Sequence, residues 1–161
     1  MPDTQPESDA KLLDMFRTEM VQHYPFVVIP HQVDADTLQA QRPFVMSNIR
    51  LVASLGSGKW ARRQMHNIMS HVASQMLLRA ERSADLLMGI LIVLGWYHSH
   101  CMRHSQFNNL LCLAESLAAD LGLWKGGGER TSEDKRLLLG VWYLRSSYAP
   151  SPIRFVWRRQ C

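Results

Sequence analysis

The sequence predicts an all-α fold: an irregular helical array around one central apolar helix, forming part of a larger helical domain. Three observations lead there. Phe107, Leu110, Leu111, Ala114, Leu117, Ala118 and Leu121 recur at helical spacing and make the clearest amphipathic stripe in the chain. The stretch "DLLMGILIVLGWYHSH", residues 85–100, carries apolar side chains on every side, the pattern of a helix enclosed by others. No β-hairpin signal, internal repeat or heptad run of useful length is visible. With 161 residues, 47% hydrophobic and 20% charged, the chain can bury one core but hardly two.

Element by element, Ser8 is placed to cap a helix running to about Tyr24, with Leu12, Phe16 and Met20 four residues apart on one face. "YPFVVIP" then stops it. Pro25 and Pro30 lack backbone donors and push Tyr24 and Ile29 out of the helical region, so this segment should lie extended with its apolar side chains against helices. "DADTLQAQ" predicts a short helix, and Pro43 suits the first turn of the next, which carries Phe44, Ile49, Leu51 and Val52. "SLGSG" ends that one.

From 59 to 79 the residues Met65, Ile68, Met69, Val72 and Met76 recur at helical spacing, while Arg62, Arg63, His66, Asn67 and Ser70 fall elsewhere, which predicts an amphipathic helix with a basic polar side. Ser83 can cap the apolar helix, and Asp85 in its first turn suits the positive end of the helix dipole. Gly122 is placed to end the following helix. "KGGGER" reads as an exposed loop. Thr131 with Asp134 three residues later resembles a capping box for the last helix, with Leu138, Val141 and Trp142 facing inward.

Several classes of function are disfavoured. The uncharged run 86–97 is 12 residues, too short for a hydrocarbon layer that needs roughly 20. Residues 1–10 are acidic and polar where a secretory signal would be basic and then apolar, which points to the cytosol or nucleus. Cys101, Cys112 and Cys161 are odd in number and widely spaced, so three free thiols are expected. The net charge is +4 and unevenly spread: seven of the 14 acids precede residue 37, while 135–161 holds six bases and no acid.

The chemistry-bearing motifs are weak. "HSHCMRH" brings His98, His100, Cys101 and His104 within seven residues, yet no fourth ligand or second cluster is evident, and histidines at the polar end of a buried helix commonly cap or solvate it. A Cys101 nucleophile would need an orienting group and an oxyanion site that the spacing does not supply. Asp34 with Asp36, and Glu133 with Asp134, read as helix-start carboxylates rather than an acid and base pair. "ASLGSGKW" departs from a phosphate loop, with Ala53 where Gly is wanted, Trp60 where Ser or Thr is wanted, and no preceding strand. The glycines at 126–128 read as a connector. Met65, Met69 and Met76 read first as core and second as pocket lining. Lys59, Arg62, Arg63 and Arg79 suit phosphate or an acidic partner, with a solvated face the default.

Taken together, "LLDMFRTEMVQHYPFVVIP", "RPFVMSNIRLVAS", "DLLMGILIVLGWYHSH", "NLLCLAESLAADLGLW" and "RTSEDKRLLLGVWYLRSS" resemble the start of the regulatory domain of fungal binuclear zinc cluster transcription factors, over about 12–147. The order of the segments carries the likeness more than any one of them. The resemblance implies an all-helical, non-catalytic module, the middle homology region, which serves effector response, inhibition or protein contact, in the nucleus and otherwise the cytoplasm. The family's DNA reader is a separate six-cysteine cluster, to which three scattered cysteines have no counterpart.

The expected organisation is a disordered segment at 1–10, a partial regulatory domain at 11–148 and a divergent basic tail at 149–161, the mark of a truncated or misjoined gene product. No catalytic, cofactor-binding or metal-binding residue is assigned, no cofactor is expected, and the chain is expected not to be an enzyme. Expected partners are a protein or a second copy, with a small effector as a further candidate, and neither a membrane nor autonomous sequence-specific DNA binding. The alternative is a small helical binding module for a hydrophobic metabolite or a partner helix. The helices of 83–123 are expected to leave an apolar patch uncovered.

Overall fold

The computed structural model describes residues 7–54, 58–97, 104–125 and 129–148. Among them are seven α-helices and no strand: α1 (Asp9–Met15), α2 (Ala35–Gln41), α3 (Pro43–Ala53), α4 (Gly58–Val72), α5 (Ala84–Tyr97), α6 (His104–Asp120) and α7 (Ser132–Tyr148). The all-α expectation holds. Two helices are prolonged by π-helical turns, α1 through Phe16–Met20 and α4 through Ala73–Leu78.

Local chemistry sets most helix starts. The Ser8 hydroxyl accepts from the Lys11 amide, Asp34 from Thr37 at 2.7 Å, and Ser83 from Leu86, so each side chain satisfies one of the orphan donors of a first turn. Thr131 and Asp134 exchange bonds reciprocally, both at 3.1 Å, as a capping box does. Helix α1 begins at Asp9, within the stretch 1–10. Asp9 is anchored by a two-pronged ion pair to Arg50 of α3, at 2.8 and 2.6 Å, and residues 1–6 lie outside the described ones.

Between α1 and α2 the "YPFVVIP" segment turns at Pro25 and Phe26 before it becomes extended, so the expectation of an extended segment holds for its second half. Tyr24, Val27 and Ile29 are buried. The Arg17 guanidinium donates to the carbonyls of Ile29, Pro30 and Val33, supplying partners that a stretch without a neighbouring strand cannot find. Burial lowers the pKa of Arg17 from its ordinary value.

The centre of the molecule is α5, as its composition predicts. Every residue from 86 to 94 is buried, because α3, α6 and α7 all pack against this helix while α3 also carries α1, α2 and α4. Contact with α3 is close at Gly89, where an added Cβ would lie 2.3 Å from Phe44 Cδ1 and 2.8 Å from Asn48 Nδ2. On α6, Phe107, Leu110, Leu111, Ala114, Leu117 and Ala118 are buried, and Gly122 takes the left-handed φ of 74° that closes the helix.

Two expectations are corrected here. Among the described residues of 83–123 no large apolar side chain is left exposed, since the stripes of α5 and α6 are covered by this chain's own helices. The inward side of α7 is Leu137, Val141 and Leu144, with Leu138 half-buried and Trp142 60% exposed. Gly140 decides this rotation: it lies so close to Phe26 that a Cβ would stand 2.8 Å from Phe26 Cβ, and with Gly140 turned inward Trp142 must face out. Trp142 stands with Leu139 and Tyr143 on the outer side. Trp142→Gln is therefore expected to change stability by less than about 0.5 kcal/mol in urea denaturation; a loss of several kcal/mol would return Trp142 to the core.

The run that begins with α4 ends at Ala80, a left-handed alanine with φ 54°. The π turn forces it: Arg79 N bonds Ser74 O at 3.0 Å and Glu81 N bonds Gln75 O at 2.8 Å, wide closures that need the chain to reverse hand at one residue. A left-handed Cβ costs about 1–2 kcal/mol, part of which glycine returns through its freer unfolded chain. Ala80→Gly should raise stability by about 0.5–1 kcal/mol in urea denaturation, and a lower midpoint would contradict the conformational account.

Candidate functional site

The polar centre of the fold sits where α3 begins. Arg42 at its N-cap offers no capping acceptor and Pro43 has no amide hydrogen, so the amides of Phe44 and Val45 must find an acceptor elsewhere. Asp85 supplies it from α5: its carboxylate accepts from Phe44 N at 3.1 Å and from Val45 N at 2.9 Å. One side chain thus stands in the first turn of α5 and caps the first turn of α3. Arg42 completes the junction, reaching Glu133 of α7 at 2.8 Å and the Met88 sulfur.

Burial pushes the Asp85 carboxyl above its ordinary pKa near 3.8, against the pull of the two backbone bonds and of the nearby Arg42 and His71 charges. The exposed His71 ring stacks on Phe44 at 4.7 Å. Beside this pair a shallow groove of about 280 Å³ runs between α3 and α4, lined by Pro43, Phe44, Ser47, Gln64, Asn67, Ile68 and His71. Asn48 is fully buried here; its amide bonds Phe44 O at 2.7 Å and its carbonyl oxygen has no hydrogen-bond partner.

The remaining motifs resolve as follows. Residues 98–103 and 126–128 lie outside the described ones, as does the side chain of His104, so the "HSHCMRH" cluster and the triple glycine have no structural account. Among the described residues no group of three metal-ligating side chains exists, and no helix is long and apolar enough to cross a membrane. Asp34 and Asp134 cap helices, and the bonds from Thr37 lower the Asp34 pKa. Glu133 instead pairs with Arg42, while Asp36 is exposed. The "ASLGSGKW" segment follows a helix, α3, where a phosphate loop follows a strand.

Met65 and Met76 are buried and Met69 packs against the core, so the methionine stripe is core. Cys112 is an exposed free thiol; Cys101 and Cys161 lie outside the described residues. Lys59, Arg62, Arg63 and Arg79 are all exposed, the outer face of α4 and its π turn. Sequence reasoning missed the Asp85 junction because its partners stand 40 and 41 residues away.

Over 131 residues the chain is 30% identical to the transcription factor himD of Aspergillus japonicus, a span of 80% of this chain and 21% of that protein. The chain is transcription-factor-like. It is also 29% identical over 114 residues to the transcription factor opdL of Penicillium oxalicum, covering 71% of this chain and 19% of that one. A third transcription factor, from Aspergillus terreus, is 26% identical over 117 residues, 72% of this chain and 20% of its own length. This transcription-factor-like chain therefore spans about a fifth of the length of the relatives it matches. No family model and no solved structure matches it.

Proposed function

We propose that the chain is the first part of a middle homology region, the helical regulatory domain of a fungal binuclear zinc cluster transcription factor, and that it acts in the nucleus through protein or effector contact. The observation that carries this reading is the alignment of 80% of the chain with about a fifth of a fungal transcription factor. The all-helical architecture of the described residues is the one this reading expects. Catalysis has no part in this reading, and neither does sequence-specific DNA binding by these residues alone.

The decisive experiment fuses the chain to an unrelated DNA-binding domain and activation segment and reads a reporter in a filamentous fungus. Reporter output should change by severalfold on fusion, and the isolated chain should form no nanomolar, sequence-selective complex with duplex DNA at physiological salt. Unchanged output, or such a DNA complex, would overturn the reading. The metabolite-module alternative gains no support, because the methionines that would line its pocket are core and the groove at Phe44 is shallow and edged by amides.

A further inference from the structure

Helix α4 and its π turn present one outer face. Ala61, Met65, Ile68, Val72 and Met76 are buried, which leaves Lys59, Arg62, Arg63 and His66 exposed at three- and four-residue steps on the opposite side. No acid occurs from 59 to 79. Among the described residues no ion pair engages Lys59, Arg62 or Arg63, whereas Arg42, Arg50, Arg82 and Arg145 each meet a carboxylate. The positive charge of α4 is thus concentrated and meets no carboxylate among the described residues.

At the other end of the same run Leu77 and Leu78 are 66% and 83% exposed. Adjacent leucines this open sit poorly in water, and a phosphate backbone, which would engage the cations, has nothing to offer them. A ligand that uses both ends must carry carboxylates and apolar side chains on one surface. From 59 to 78 the face is about 28 Å long, which a helix of roughly 19 residues matches.

We propose that the outer face of α4 and its π turn docks an acidic amphipathic segment of a partner protein, its carboxylates against Lys59, Arg62, Arg63 and His66 and its apolar side chains on Leu77 and Leu78. The charge pattern supplies orientation and encounter rate, and the leucines supply buried apolar area. Duplex DNA is the competing ligand, distinguished by its indifference to the leucines.

The test is fluorescence anisotropy with the full chain and a labelled helical peptide of about 20 residues that alternates Glu and Asp with Leu and Phe at helical spacing. Polyglutamate of equal charge and a duplex of mixed sequence are the comparisons. The amphipathic peptide should bind most tightly and weaken with added salt. Arg62→Glu with Arg63→Glu, and separately Leu77→Ser with Leu78→Ser, should each weaken it by about tenfold or more, while Lys135→Glu on α7 should not. All these positions are exposed, so thermal melts should stay near wild type; Arg62→Gln with Arg63→Gln is the milder pair if the reversal unfolds the chain. The proposal is overturned by equal binding of polyglutamate, by tighter binding of the duplex, or by affinity unchanged in the substituted chains.

Discussion

Gly89→Val should destabilise the protein by about 3 kcal/mol, a fall of roughly 6–12 °C in melting temperature for a chain of this size. The reason is steric and local. A Cβ at Gly89 would lie 2.3 Å from one carbon of the Phe44 ring and 2.5 Å from the next, with the Asn48 amide at 2.8 Å. Phe44 is held by burial and by the His71 ring stacked on it, and Asn48 is fully buried, so neither side chain can withdraw without opening α3 from α5. Gly89→Ala is the informative control, because its better helix propensity returns about 1 kcal/mol and it places a single carbon in the clash. The order glycine, alanine, valine in falling stability, read by urea denaturation, is the expected result. Equal midpoints for all three would mean that α3 and α5 do not meet here.

What the sequence disclosed and what it withheld divide by range. Helix starts were legible because their chemistry is local: Ser8, Asp34, Ser83 and the Thr131–Asp134 box each act within three residues, and Pro43 marks the first turn of α3 by itself. The stripe of α6 was legible because polar residues separate its apolar ones. On α7 the apolar residues crowd together from 137 to 144, so spacing alone could not choose a face. That choice was made by Gly140 against Phe26, a contact across more than a hundred residues. The π turns after α1 and α4 carry no composition that announces them. Of the candidate surfaces, the basic side of α4 was visible in the residues, but Leu77 and Leu78 joined it only once burial of Met76 fixed the rotation.

Asp85 gives the second large effect, and its pH dependence runs against the habit of carboxylates. Asp85→Ala removes the acceptor of both Phe44 N and Val45 N and should cost about 2 kcal/mol, within the range for lost caps and orphaned part-buried amides. Asp85→Asn keeps one acceptor and should cost less. Because burial raises the folded pKa above the ordinary 3.8, the native state holds this proton more tightly than the unfolded chain does. The resulting stabilisation is complete below about pH 3.8 and is lost as pH rises through the folded value. Asp9 slopes the other way, since its bond to Arg50 lowers its pKa and its contribution fades as pH falls. That opposite slope is common to wild type and Asp85→Asn, so it cancels in their difference. Urea denaturation of the two proteins from about pH 3.5 to 7 should therefore show the wild-type advantage shrinking as pH rises. An advantage that grows instead would mean that the two backbone bonds and Arg42 outweigh burial, and that the α3–α5 junction is held by a charge the interior welcomes rather than one it resists.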